Sequence, residues 1–505
     1  MILSQHLSAT ASKNATKAAF RYLGKELTFD QFKTQVSKLS YLYGHEIGHQ
    51  QRVAFVTHNS PAVAATFFAM TNTRSVVIPL NPDQAPDDLV EALRFTEATH
   101  VAVTSDVLAR IRDVLSQAKL NLPIIDIEKK HGGEYDSSFT PAPDNTPIDG
   151  DQVLIFKSGG GSGKAKYVIF NHKQILAAAT SLRTLYHLTV NDRILTNMNW
   201  NHPFSFLHGM LFPLMNGATT VVDLGLENKE FLEFLIDNRV TRLVGSPPFF
   251  YKLLIVCRNE KRVLPGTKSI TVGVGMLSPE LRKAFRLLKV DVGQCYGKTE
   301  AGWTISMEDV GEFEEVPPKY VGKGLPGMKY KVLDPNGDEI LDKGARQGLL
   351  AVSGPCVMSG YLKAEKETKN AIRGTWLYTG DYAELDGDAE TLRIRYLGRK
   401  EELYMMGDQL LSPDVIDTPL RSMTGIQDGA GFILKTMKNQ TVFACAVIKT
   451  PGSTVNEKSI IDHCAMRVPM EMRPTMVVFT DSIPRDAGGS VMRSKLTAQF
   501  AGTAG

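Results

Sequence analysis

Ser158-Gly159-Gly160-Gly161-Ser162-Gly163-Lys164-Ala165-Lys166 follows directly on the apolar run Val153-Leu154-Ile155-Phe156. The run predicts a buried strand, and the glycines predict a loop at its end. Glycines let backbone N–H groups turn inward on an anion without side-chain obstruction. The hydroxyls of Ser158 and Ser162 and the ammonium groups of Lys164 and Lys166 add donors and charge, a combination suited to a polyphosphate. An ordinary mobile surface loop has the same composition. The Walker pattern does not fit: Ser158 stands at its first glycine and Ala165 follows Gly163-Lys164, so the magnesium-binding hydroxyl is missing. Gly160-Gly161-Ser162-Gly163-Lys164 likewise misses the hydrolase pattern Gly-x-Ser-x-Gly at its last position.

The 505-residue chain is long enough for two or more domains, and 43% hydrophobic with 22% charged residues is the composition of a globular protein. A net charge of +3 and a pI near 8.4, with the basic residues scattered, predict no nucleic-acid partner. The cysteines, Cys257, Cys295, Cys356, Cys445 and Cys464, are far apart and odd in number, which argues against a disulfide frame or structural zinc. No stretch reaches the roughly 18 consecutive apolar residues of a bilayer span, and Met1-Ile2-Leu3-Ser4-Gln5-His6 lacks a signal-peptide pattern. The expectation is a cytoplasmic protein with no membrane span.

Short β-type runs alternate with amphipathic stretches over the first 150 residues. Leu27-Thr28-Phe29-Asp30 predicts a strand leading to a cap, followed by a helix with Phe32, Val36, Leu39 and Leu42 on one face. Arg52–Val56 and Ser75–Leu80 read as strands around a helix from Pro61 to Met70. Residues 122–152, rich in Pro, Asp, Gly and Ser, read as a surface connection. Further strands are expected at 194–196, 220–222, 243–246 (ending in a turn at Pro247-Pro248) and 270–274, with a helix from Pro279 to Leu288. Alternation of this kind predicts an α/β fold with helix-covered parallel sheets. Gly273-Val274-Gly275 is not a dinucleotide fingerprint, because Ser278 stands at the third glycine. From Lys331 the chain changes to short strands and turns, which predict a small antiparallel β subdomain.

Three further motifs accompany the glycine loop. In Tyr296-Gly297-Lys298-Thr299-Glu300 the aromatic ring can stack on a base, Thr299 can donate to a phosphate oxygen, and Glu300 is a hard ligand for Mg²⁺. In Tyr378-Thr379-Gly380-Asp381 the carboxylate can accept from both ribose hydroxyls, and Arg399 of Gly398-Arg399 can fork onto ribose or phosphate oxygens. Each motif alone also reads as a capped turn or a solvated charge. In this order and at these separations, the four elements resemble the adenylate-forming superfamily: acyl-CoA synthetases, luciferases and peptide-synthetase adenylation domains. Ser158, Gly160, Ser162, Gly163 and Lys166 match that family's phosphate loop, while Gly161, Ala165 and Tyr167 depart from it.

The resemblance implies a large N-terminal α/β domain over residues 1–397 and a mobile α+β C-terminal lid domain over 398–505. It implies ATP and Mg²⁺ as cofactors. A small-molecule carboxylate would be activated as an acyl-adenylate and passed to the thiol of CoA or of carrier-protein phosphopantetheine. A carboxylate is already ionised at pH 7, so the site must supply alignment and charge neutralisation rather than a base. Lys166, Thr299 and Glu300 would serve catalysis. Ser158, Gly160, Ser162, Gly163, Tyr296, Asp381 and Arg399 would bind the nucleotide. Phe206, Val274, Gly275, Gly302 and Trp303 would line the acyl pocket, favouring an aryl or medium acyl group. Glu401 stands at the hinge, where Asp or Lys is usual, and Gly407 on the pantetheine path, after a stretch one residue short of the usual spacing. Ser490 stands where the family carries its lid lysine. Losing one preorganised charge costs about 10²- to 10³-fold in rate, so either Lys157 or Lys164 substitutes, or the protein is specialised for acyl transfer, or it is a nucleotide-binding pseudoenzyme.

Overall fold

The computed structural model describes residues 2–131, 150–158, 165–309, 319–341, 344–388, 391–406, 409–435, 440–485 and 491–501. Near the N-terminus Thr28 closes a capping box with Gln31, the Thr28 hydroxyl accepting from Gln31 N at 3.2 Å and the Gln31 side chain accepting from Thr28 N at 2.9 Å. The helix it starts, Phe29–Glu46, buries Phe32, Val36 and Leu39. Ser60 caps the next helix, Pro61–Asn72, whose Pro61 occupies the first turn where an N–H is not needed.

A seven-stranded sheet runs in the order Ile124–Asp126, His100–Val103, Arg52–Val56, Val76–Leu80, Gln152–Ser158, Lys166–Asn171 and Gly360–Tyr361. Its first five strands are parallel, and the last two are antiparallel additions. The stretch expected to be a plain surface connection holds the edge strand Ile124–Asp126 and the helix Ile127–His131 at its start. A three-residue strand is too short to display an alternating pattern, which is why the sequence did not reveal it.

The larger sheet has a parallel half made of Thr219–Val222, Arg193–Thr196, Arg242–Gly245, Ser269–Val272 and Asp291–Tyr296. Pro247-Pro248, expected as a turn, instead opens the helix Pro247–Asn259, prolines being well suited to a first helical turn. After Asp291–Tyr296 the same sheet turns antiparallel through Ser306–Met307, Tyr320–Gly324, Arg393–Arg399, Trp376–Asp386, Arg346–Ser353 and Lys329–Leu333. The antiparallel strands expected from Lys331 are thus hydrogen-bonded in continuation of the parallel ones. One apolar core lies between the two sheets, with Phe67, Phe156, Phe206, Phe212 and Trp303 among its members. Helices cover the outer faces over two further clusters.

From Leu411 onward the chain builds its own apolar clusters around a sheet of Ile426–Lys435, Thr441–Lys449 and Met476–Phe479. A buried ion pair, Arg493 Nη2 to Asp417 Oδ2 at 2.7 Å, ties the helix Arg493–Gln499 to this unit. Lys319 Nζ reaches both Leu397 O (3.2 Å) and Asp414 Oδ1 (3.0 Å), linking the antiparallel strands to the C-terminal segment. Among the described residues no helix is long and apolar enough to cross a membrane.

The junction of the two halves of the sheet depends on Gly322, whose φ is +101°. A Cβ there would fall 1.9 Å from the Met307 carbonyl carbon, on backbone that cannot yield. Gly322→Ala is expected to lower stability by about 3 kcal/mol, read as a lower denaturant midpoint. A midpoint unchanged from the parent protein would show that the junction adapts.

Candidate active site

Tyr296 ends the last parallel strand, and its side chain crosses to the antiparallel half of the sheet. Its Oη donates to Asp381 Oδ2 at 2.6 Å, while Arg399 stands opposite Asp381 in the strand register. Burial, and then the charge of Asp381, raise the Tyr296 phenol well above its usual pKa of 10, so it stays a donor. The Tyr396 ring lies 5.3 Å from the Tyr296 ring, centroid to centroid. Gly297 follows, and a Cβ on it would sit 2.0 Å from Trp303 O, so only glycine lets the next turn fold back this closely. That turn is a 3₁₀ segment, Thr299–Ala301, closed by Trp303 N donating to Lys298 O at 2.9 Å.

Glu300 is buried, and Oε1 of its carboxylate accepts from Tyr361 Oη at 2.9 Å. Lys166 Nζ sits 5.0 Å from the centroid of the same Tyr361 ring. Tyr361 therefore stands between the lysine of the glycine loop and the glutamate of the Tyr-Gly-x-Thr-Glu motif. Burial and the Glu300 charge both raise its phenol pKa. Ser158 and Lys166 face each other across an antiparallel pair, so the glycine loop leaves and re-enters the sheet at one point. Gly160, Ser162, Gly163, Gly407 and Ser490 lie outside the described residues.

Of the expected acyl-pocket residues, Val274 and Gly275 follow the strand Ser269–Val272, Gly302 and Trp303 follow Asp291–Tyr296, and Phe206 opens the helical segment Phe206–Leu211. Val274 (φ +63°) and Trp303 (φ +72°) hold left-handed backbone that costs each about 1–3 kcal/mol. Gln294 braces the first loop, its Nε2 donating to Gly275 O at 3.0 Å and its Oε1 accepting from Leu277 N at 2.6 Å. Gly302 packs so closely that a Cβ would meet Cys356 O at 2.8 Å. The Phe206 ring is engaged in the core, 5.0 Å from Phe67 and 5.2 Å from Phe156, with Trp303 on a further side at 6.1 Å. Phe204 instead lies over Gly273, its ring tilted 43° against that of His208 at 4.4 Å between centroids. His208 is fully buried, with Nδ1 at 2.8 Å from Tyr186 Oη and Nε2 at 3.0 Å from Thr304 Oγ1. Both of its nitrogens are satisfied by the protein, which holds its ring in place beside Phe204.

Residues 7–362 match the family described as AMP-binding enzyme. The chain belongs to that family. It is similar to 4-coumarate–CoA ligase-like 9 of Arabidopsis thaliana, 26% identical over 98% of this chain and 90% of that protein. It is also similar to a feruloyl-CoA synthase of Amycolatopsis sp, 23% identical over 97% of both. Among solved structures, an anthranilate CoA ligase in complex with anthranoyl-AMP superposes with a TM-score of 0.85 at 20% identity, covering 100% of this chain and 98% of that one. This last likeness establishes the adenylate-forming fold, α/β with a C-terminal unit.

In this AMP-binding enzyme the sequence motifs supplied Tyr296, Glu300, Asp381 and Arg399, and the structure brings Tyr296, Asp381 and Arg399 together. It adds Lys298, Tyr361, His208 and Gln294, which no motif flagged. His208 lies six residues after His202 in an apolar stretch, a spacing that carried no signal by itself. Glu401 is exposed in the 3₁₀ turn Lys400–Glu402, directly after Arg399. Neighbouring Glu402 has its carboxyl pKa raised by burial, against the opposing pull of Arg493 and Arg399.

Burial lowers the pKa of His208 to about 3 and of His202 to about 4. An unfolded histidine takes its proton near pH 6.5, so each contribution is fully present above that pH and is lost as pH falls through the window down to the folded value. Each adds a slope of about 1.4 kcal/mol per pH unit there. His208→Gln is expected to remove one such slope between pH 6 and 4.5 in urea unfolding followed against pH. An unchanged slope would show that His208 is protonated in the folded protein.

Proposed function

We propose that the protein joins a carboxylic acid, aryl or of medium length, to the thiol of CoA through an acyl-adenylate made from ATP. The observation that carries this reading is the convergence of Tyr296, Asp381 and Arg399, from motifs some hundred residues apart, beside a turn that presents Thr299 and Glu300. The names of the relatives support CoA as acceptor; a carrier-protein phosphopantetheine offers the same thiol chemistry. In this reading Asp381 and Arg399 hold the ribose, the Tyr296 ring lies along the base, and Lys166, Ser158 and the glycine loop hold the phosphates. Residues 1–397 form the body and 398–505 the lid, hinged at Glu401, with Gly407 on the thiol's path.

Glu300 fits Mg²⁺ as one carboxylate ligand. Among the described residues no group of three His, Cys, Asp or Glu gathers to hold a metal alone. Mg²⁺ held chiefly by substrate phosphates and one carboxylate is its usual mode. The ion supplies neutralisation of phosphate charge. The residues of the chain align the carboxylate with the α-phosphorus, exclude water, and keep the Tyr296 phenol protonated as a donor to Asp381. Gly302, Trp303, Val274 and Gly275 would bound the acyl group, with Phe206 behind Trp303.

Ser490 in place of the lid lysine favours a second reading: a nucleotide-binding protein that has lost adenylation. Carboxylate-dependent exchange of labelled pyrophosphate into ATP, across aryl, fatty and amino acids, separates the two. Exchange by the unaltered protein with an aryl or medium-chain acid is the expected result. Silence that Ser490→Lys relieves by about 10²-fold or more would place the defect in the lid. Silence in both, with ATP still bound, would establish the second reading.

A further inference from the structure

We propose that Lys298 is a positioning residue for nucleotide recognition, fixing the Asp381 carboxylate so that it can hold a ribose diol. The inference rests on the nucleotide reading of the site. Lys298 occupies the variable place of Tyr-Gly-x-Thr-Glu, where the motif itself requires no charge. Its Nζ lies 2.5 Å from Thr379 O and 3.9 Å from Asp381 Oδ2. The side chain retains 27% of its exposure, against 5% for the Asp381 side chain.

Three features make this more than a surface ion pair. Gly380 between the two contacted residues has φ +77°, a left-handed turn that glycine adopts without steric cost and that hydrogen bonds on either side hold in one conformation. Thr379 Oγ1 supplies part of that anchor by accepting from Asp381 N at 3.1 Å and donating to Leu350 O at 2.8 Å. Lys298 supplies the other part from across the site, because it belongs to the turn that carries Thr299 and Glu300. Tyr296 Oη and Lys298 Nζ both approach Oδ2 of Asp381, and Oδ1 is the proposed acceptor for a ligand hydroxyl. A carboxylate this buried is costly unless paired and hydrogen-bonded. Arg399, opposite Asp381 in the strand register, and Lys298 both bring positive charge toward it, and Lys298 also donates to the Thr379 carbonyl of the turn.

The lysine thus couples two halves of one ligand site: the ribose carboxylate and the turn that faces the phosphates. Its loss would disturb the ribose end selectively. The same ammonium leaves a fixed positive charge on the body of the protein beside the nucleotide, in a chain whose lid carries Ser490 where its relatives' motif has a lysine.

The test is calorimetric binding of ATP, 2′-deoxyATP and 3′-deoxyATP to the full-length protein and to Lys298→Met, Lys298→Arg, Asp381→Asn and the Met/Asn double variant, a readout that needs no turnover. The unaltered protein is expected to prefer ATP over the deoxy nucleotides. Lys298→Met should weaken ATP by about tenfold and the deoxy nucleotides by less than about twofold, with Lys298→Arg recovering most of the loss. The double variant should bind ATP no worse than Asp381→Asn, since residues acting through one group are not additive. Should Lys298→Met fail to fold, Lys298→Gln carries the same comparison. ATP affinity unchanged on losing the lysine, or all three nucleotides weakened alike, would overturn the proposal alone. Absence of ATP binding by the unaltered protein would overturn the nucleotide reading and the proposal with it.

Discussion

The change of strand direction after Asp291–Tyr296 is the constraint on which the rest of the structure depends. Parallel strands joined by helices all deliver their carboxyl ends to one edge, where the following loops meet. Antiparallel strands added to the same sheet return chain from far downstream to that edge. Tyr296 ends the last parallel strand, and Asp381 lies two antiparallel neighbours beyond Tyr320–Gly324, on Trp376–Asp386. Their 2.6 Å hydrogen bond joins the two halves at the point where a ligand can touch both. Gly322 and Gly297 are required there because backbone approaches backbone too closely for any side chain.

Around this junction Gln294, Glu308 and His208 are buried in satisfied contacts. Gln294 receives and gives hydrogen bonds on both sides of the loop at Gly275, while Glu308 takes both Arg282 contacts at 2.7 Å and the Gln294 backbone N–H at 2.8 Å. His208 is held between Tyr186 and Thr304. Such networks fix side chains that solvent would otherwise leave free, and they hold the strained backbone at Val274 and Trp303 in place. The C-terminal unit is tied differently. Its apolar clusters are its own, and the Lys319–Asp414 pair is a polar link to the antiparallel strands.

Much of the architecture was legible beforehand. Phe32, Val36 and Leu39 at helical spacing, the apolar strands Arg52–Val56 and Gln152–Ser158, and the helices started by Pro61 and Pro279 carry local signals that tertiary contacts reinforce. Short elements escaped: Ile124–Asp126, Ser306–Met307 and Gly360–Tyr361 have too few residues to express a period. The last of these matters most, because Tyr361 links Lys166 to Glu300. The same limit applies to Phe206, whose place in a motif said nothing of the Phe67 and Phe156 rings that enclose it in the core.

The sequence by itself determined the family, the α/β class and the motifs that carry Tyr296, Glu300, Asp381 and Arg399. Motif residues are constrained by chemistry that acts through few neighbours, so a short run of sequence is enough to display them. Only the tertiary structure decided which groups meet: that Lys298 faces Asp381, that Tyr361 stands between two motifs, and that His208 has both nitrogens occupied. Those contacts join residues from 22 positions apart, for Tyr186 and His208, to about 200, for Lys166 and Tyr361. Sheet register and the packing of two sheets on one core set such distances, and neither is written in any local stretch of chain.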